Sequence, residues 1–216
     1  MVMRSLLLCV LAVPLFAAEE VWLADNDLRV TLSALPRSYD STLKNADTGF
    51  TVKDAGTFDS AGWLAIDFQM TTYRDSWASF VLGVGVDGIG INDENSLQKS
   101  TLGGVGAHLA LGAAMRPSNF FSLEGAVVAG GGAAASAVES KTVNFTNDSD
   151  SGYYGMLGVL VRTVFTIQPG FQVFGQAGYI GMRFNTEYDS TTTSGSTTQE
   201  VTISGLTYGL GIGWRF

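Results

Sequence analysis

Residues 206–216 read Leu206-Thr207-Tyr208-Gly209-Leu210-Gly211-Ile212-Gly213-Trp214-Arg215-Phe216. A large apolar side chain holds every second position, and glycine, threonine or arginine fills the rest. That is the period of a β-strand with one apolar face. Upstream the pattern recurs. Leu64, Ile66, Phe68 and Met70 alternate with Ala65, Asp67, Gln69 and Thr71, and Phe80, Leu82, Val84 and Val86 with Val81, Gly83, Gly85 and Asp87. Val105 to Met115, Phe121 to Ala129 and Leu157 to Ile167 continue it, in runs longer than the five or six residues of a common strand.

The breaks between these runs are of two kinds. Arg74-Asp75-Ser76, Pro117-Ser118-Asn119 and Pro169-Gly170 are short and have turn chemistry. Longer polar stretches lie at 36–60, 88–100, 138–152 and 185–200. Short turns alternating with long loops predict four hairpins, and so eight antiparallel strands in up-and-down order. If the first hairpin folds about residue 48, Arg29 and Asp67 come opposite each other. Residues 171–184 fit least well: Phe174 and Ile180 share a parity with Gln172 and Gln176, so a bulge is expected there and the register stays open. Phe120 to Val138 could pass for a membrane helix with one charge, Glu124. Its three successive glycines, 130–132, each cost about 1 kcal/mol against alanine in a helix interior.

Charge decides what the apolar rows touch. Arg29, Asp67, Asp87, His108, Arg116, Glu124, Arg162 and Arg215 all fall on the opposite parity. A lysine or arginine on a lipid-facing strand costs about 2–4 kcal/mol at the bilayer midplane, which keeps charge off that face. A soluble sandwich would also segregate charge, but its water-facing rows would be rich in Lys and Glu. Here those rows are mostly Gly, Ala and Ser, which suits the crowded interior of a small barrel. Inward Arg29, Asp67, Glu124 and Arg162, with His108, are therefore expected to form an interior polar network of ion pairs, His108 meeting neighbours such as Glu124 or Arg162. Tyr73, Trp77, Phe120, Phe121, Phe165, Phe171, Trp214 and Phe216 collect near the short turns, as an interfacial girdle would.

The first residues carry Arg4, an apolar run from Leu6 to Phe16, and small Ala17 and Ala18 before Glu19 and Glu20. These features predict a cleaved signal peptide over 1–18 and a barrel domain over 19–216. Cys9 leaves with the leader, so the mature chain has no thiol and no disulfide. With this leader and these loops, the terminal alternation of Tyr208, Leu210, Ile212, Trp214 and Phe216 resembles the C-terminal signal of Gram-negative outer-membrane β-barrels. Overall the chain resembles the small eight-stranded barrels of the OmpA and OmpX type. That resemblance implies an all-β transmembrane barrel in the outer membrane, lipid around it, and the barrel-assembly machinery as a partner of the last strand.

The 216 residues carry 12 Lys and Arg against 20 Asp and Glu, a net charge of -8 that argues against nucleic acid as a partner. A single His removes most metal and triad chemistry, and no cofactor is expected. Some small outer-membrane barrels modify lipids with a His, a Ser and an acid, but His108 lies mid-strand on the inner face. In the long loops Asp40, Asp47, Asp54, Asp59, Asp93, Glu94, Glu139, Asp148, Asp150, Glu187, Asp189 and Glu200 outnumber Arg37, Lys44, Lys53, Lys99 and Lys141. The expected role is structural, or surface binding of an extracellular ligand through these acidic loops, without catalysis. A narrow porin-like channel, for which the inward glycines leave room, and a lipid-modifying enzyme are the alternatives.

Overall fold

The computed structural model describes residues 23–216 apart from 47, 74–78, 95–97, 141–144, 149–150, 169 and 190–195. The leader over 1–18 and the turn at Arg74-Asp75-Ser76 lie outside the described residues. Those described form β1 (Leu23–Ala34), β2 (Ser38–Asn45), β3 (Thr51–Thr57), β4 (Ser60–Tyr73), β5 (Ser79–Glu94) and β6 (Gln98–Ser118). β7 (Phe121–Ser140), β8 (Phe145–Asp148), β9 (Ser151–Gln168), β10 (Phe171–Asp189) and β11 (Ser196–Arg215) follow.

Eight of these strands close a ring in the order β1, β4, β5, β6, β7, β9, β10, β11, every neighbour antiparallel, and β11 returns to β1. Closure leaves no open edge in the ring, the condition a sheet must meet in hydrocarbon, where an unpaired backbone group costs several kcal/mol. The first hairpin folds about residue 48, and Arg29 stands directly opposite Asp67. β2 and β3 carry that hairpin upward past a break at residues 35–37, with β2 laid against the upper part of β11.

Along each strand the rows alternate as lipid outside and lumen inside require. Leu109, Val127, Val159 and Leu210 point outward, between 50 and 75% exposed, while Arg29, Gln69, Glu124 and Arg162 on the other parity are buried. A water-soluble monomer does not carry so continuous an apolar surface. On β6 the outward apolar row runs from Val105 to Met115, about the 9–11 residues that a tilted strand needs to cross a bilayer. Phe120, Phe121, Phe165, Phe171 and Trp214 gather at the short-turn end, with Phe121 and Phe165 rings 5.3 Å apart. The side chains of Tyr73 and Trp77 lie outside the described residues.

Two expectations are corrected, and the irregular register of the seventh ring strand is located. The polar stretches at 88–100, 138–152 and 185–200 are largely strand, because the wall continues above the belt in β5, β6, β7, β10 and β11. In that upper part the polarity of the wall inverts. Lys99, Thr101, Arg183 and Glu200 face water, while Trp63, Ile89, Ile91, Leu102, Met182, Phe184 and Ile203 pack inside as an apolar core. The inner face is thus small and polar only in the lower half. The irregularity expected in residues 171–184 lies at their start, between Phe171 and Gln172, and beyond it Gln172, Phe174, Gln176, Ile180, Met182 and Phe184 share the inner face.

Candidate functional site

The lower lumen holds the side chains that sequence parity sends inward. Arg29 reaches across the barrel to Glu124: Nη1 donates to Oε2 at 2.6 Å and Nη2 to Oε1 at 2.9 Å, a bidentate pair. Nη2 also donates to Asp27 at 2.7 Å. Gln69 ties the centre together. Its Oε1 accepts from Arg29 at 3.1 Å and from Arg162 at 3.0 Å, and its Nε2 donates to Glu124 at 3.1 Å. Phe174 lies beneath both guanidiniums, 5.4 Å from Arg29 and 5.9 Å from Arg162, so its ring face offsets part of the cost of holding two cations together. Arg162 Nε donates to Gln176 at 2.8 Å, and Gln176 passes the chain to Ser33 at 2.8 Å. Gly209 lies between those last two in the same row, and a Cβ there would stand 2.3 Å from Ser33 Oγ.

A second group lies one layer higher. His108 Nε2 is 2.6 Å from Asp67 and Nδ1 is 2.9 Å from Asp87, while Trp63 Nε1 donates to Asp87 at 2.6 Å. Asp67 and His108 sit on β4 and β6, each paired with Gly85 of β5 between them. A Cβ on Gly85 would lie 2.5 Å from both Asp67 Oδ1 and His108 Cε1, so the missing side chain lets the two residues meet. At the short-turn rim Arg116 and Arg215 converge on Asp25 at 2.7 and 3.1 Å, and Arg215 also bonds Asp27 at 2.8 Å. Among the described residues the lumen therefore sets Asp25, Asp27, Asp67, Asp87 and Glu124 against Arg29, Arg116, Arg162, Arg215 and His108. Burial of so many charges is offset by these ion pairs and, for Arg162, by its bonds to Gln69 and Gln176.

The structure brings Arg29, Glu124 and Arg162 into one network and places Asp67 and His108 in another. Two pairings differ from the expected ones. Arg29 faces Asp67 across the ladder but binds Asp27 and Glu124, because its long side chain spans the lumen. His108 meets Asp67 and Asp87 rather than Glu124 or Arg162. Asp27, Gln69, Gln176 and Trp63 complete the networks and were not singled out in the sequence; their inward parity was the available signal. His108 is 2% exposed and both ring nitrogens face carboxylates, with Nδ1 in hydrogen-bond geometry to Asp87. No group of three or more His, Cys, Asp or Glu side chains among the described residues is placed to hold a metal ion.

Tyr208, Leu210, Ile212, Trp214 and Phe216 form an outward row on β11, 54 to 75% exposed. The Phe216 N–H donates to Asn26 O at 3.0 Å, and its ring lies 6.3 Å from that of Phe68, at the seam where the last strand meets the first. At the opposite end Ser136 Oγ bonds Tyr188 and Thr186, Tyr188 donates to Gln199 at 2.8 Å, and Arg183 pairs with Glu200 on the outer wall. Partial burial, with Asp54 and Asp93 nearby, raises the Tyr39 hydroxyl above its ordinary pKa.

No family model and no curated protein matches the chain. Among solved structures it is similar to Ail, the attachment invasion locus protein of Yersinia pestis, in complex with the heparin analogue sucrose octasulfate. That match is 14% identical and covers 89% of this chain and 99% of Ail, with a TM-score of 0.38. The outer membrane protein OprG from Pseudomonas aeruginosa is 12% identical over 91% of this chain and 98% of its own, with a TM-score of 0.42. The outer membrane protease OmpT from Escherichia coli is 10% identical over 92% and 99%, with a TM-score of 0.45. By its own closed ring, apolar belt and filled lumen, the chain is an eight-stranded antiparallel β-barrel of transmembrane type.

Proposed function

We propose that this outer-membrane barrel is a non-conducting, non-catalytic scaffold that holds a stiff surface for extracellular contacts. The observation that carries the reading is the filling of the lumen by two different means. Ion pairs and amides cross-link the lower half, and above them the apolar core around Trp63, Ile91, Phe184 and Ile203 occupies the axis. An eight-stranded interior is just wide enough for its side chains to fill, and the upper core is lined mainly by apolar side chains. Above the belt the strands continue as paired sheet, so what meets the outside is an extension of the wall. Planar-bilayer recording of the purified protein tests this: the membrane is expected to stay silent across neutral pH, and reproducible discrete conductance steps would overturn the scaffold reading in favour of a pore.

The terminal row supports a second part of the proposal, that β11 carries the assembly signal. Phe216 is expected to matter beyond its single backbone bond, because it completes the outward stripe and sets its ring at a tilt beside Phe68 near the seam. Removing it should lower the amount of heat-modifiable barrel in the outer membrane several-fold, read on unheated gels of membrane fractions. Undiminished folded protein would show that the stripe is not read as a signal.

A further inference from the structure

Above the belt one strand has a free side. β3 pairs with β2 and with no other strand among the described residues. The Asn45 N–H bonds Phe50 O at 3.0 Å and the Phe58 N–H bonds Arg37 O at 2.9 Å. Because backbone direction alternates along an antiparallel ladder, Val52, Asp54 and Gly56 also turn their backbone groups toward β2. Thr51, Lys53, Ala55 and Thr57 turn theirs away. Side chains along the strand are exposed on both faces except at Gly56. Only a local contact touches this side in the described residues, from Ala55 N–H to its neighbour Asp54 Oδ1 at 2.9 Å. A row of unpaired N–H and C=O groups in water is a template for another strand.

The two faces flanking this edge differ in chemistry. On one face Phe50 and Val52, with Leu43 across the ladder, are 66, 42 and 40% exposed. On the other, Lys53 stands opposite Thr42 with Lys44 on one diagonal and Asp40 on the other, which leaves this face net positive on a rim that is otherwise acidic. We propose that the free edge of β3 receives an extended peptide of an extracellular partner as an added antiparallel strand, acidic on its Lys53 side and apolar on its Val52 side. Backbone bonds supply the attachment and alternate side chains select the partner. The inference rests on the scaffold reading, because the edge is useful only if the barrel beneath holds it out in water.

The pairing fixes which amides matter. A residue directly opposite Lys53 in an antiparallel pair shares its backbone orientation, so the acidic residues of the partner turn their N–H groups toward β3. The test uses the full chain refolded in detergent and a fluorescent ten-residue peptide alternating Glu and Val. One version is N-methylated on the Val amides, which face away, and the other on the Glu amides, which face β3. The first is expected to bind saturably and the second at least about tenfold more weakly. Ala55→Pro removes an outward N–H without touching the β2 ladder and should weaken the first peptide by a similar factor. Lys53→Glu should move the preference to a Lys/Val peptide.

Equal binding of the two methylated peptides, or no saturable binding, overturns the proposal even if Ala55→Pro fails to fold. Self-association in sedimentation that competes with the peptide and is lost in Ala55→Pro would assign the edge to a second copy and overturn the peptide assignment. Loss of the peptide result with a silent bilayer removes the edge proposal alone, whereas conductance steps remove the scaffold reading whatever the peptide does.

Discussion

Glu124→Ala is expected to lower the unfolding free energy by about 3–5 kcal/mol, the range for breaking a buried charge pair by removing one partner. The carboxylate accepts two bonds from Arg29 and one from Gln69, and it stands beside Arg162 in the β7–β9 ladder. Alanine would leave two guanidiniums facing each other over Phe174 with Asp27 as the near carboxylate. Equilibrium urea unfolding in lipid vesicles, followed by tryptophan fluorescence, measures the loss. Glu124→Gln keeps one acceptor and should cost less than alanine. A loss below about 1 kcal/mol for alanine would mean that the lower network contributes little beyond filling space.

Leu109→Arg is expected to cost about 2–4 kcal/mol, because the side chain sits outward near the middle of the belt and would carry a charge into hydrocarbon. Thr101→Arg is its control, on the same strand and the same face but above the belt, and should stay within about 0.5 kcal/mol of the parent. The pair separates depth from face. Equal effects in the same vesicle assay would mean that the belt does not end between these rows, and the placement of the bilayer would have to be redrawn.

What could be read from the sequence was whatever a uniform surrounding imposes. Lipid admits only apolar side chains, so Leu64 to Met70, Phe80 to Val86 and Leu206 to Phe216 each declare the parity of their strand, and the ring follows once the short turns order it. The fold of the first hairpin about residue 48 was legible because Arg29 and Asp67 sit in unambiguous rows. Partner choice inside the lumen was not. Arg29 and Glu124 are 95 positions apart and lie on strands that do not pair, so adjacency in a ladder says nothing of their contact. The upper wall was hidden for a related reason. A parity rule taken from the belt reads Ile89 and Ile91 as exceptions within a polar stretch, although the surroundings outside have changed from lipid to water and the same parity now points to an apolar core. Phe174 misled in the opposite way: an aromatic among inward glutamines suggests a slipped register, whereas its ring seats two arginines.

The inversion of the wall also sets how deep the molecule floats. If it sank by a row or two, Lys99 and Arg183 would approach the acyl tails. If it rose, Leu206 and Val105 would come out into water. Both displacements are opposed, so the height at which β2 and β3 stand above the lipid surface is written into the wall that carries them.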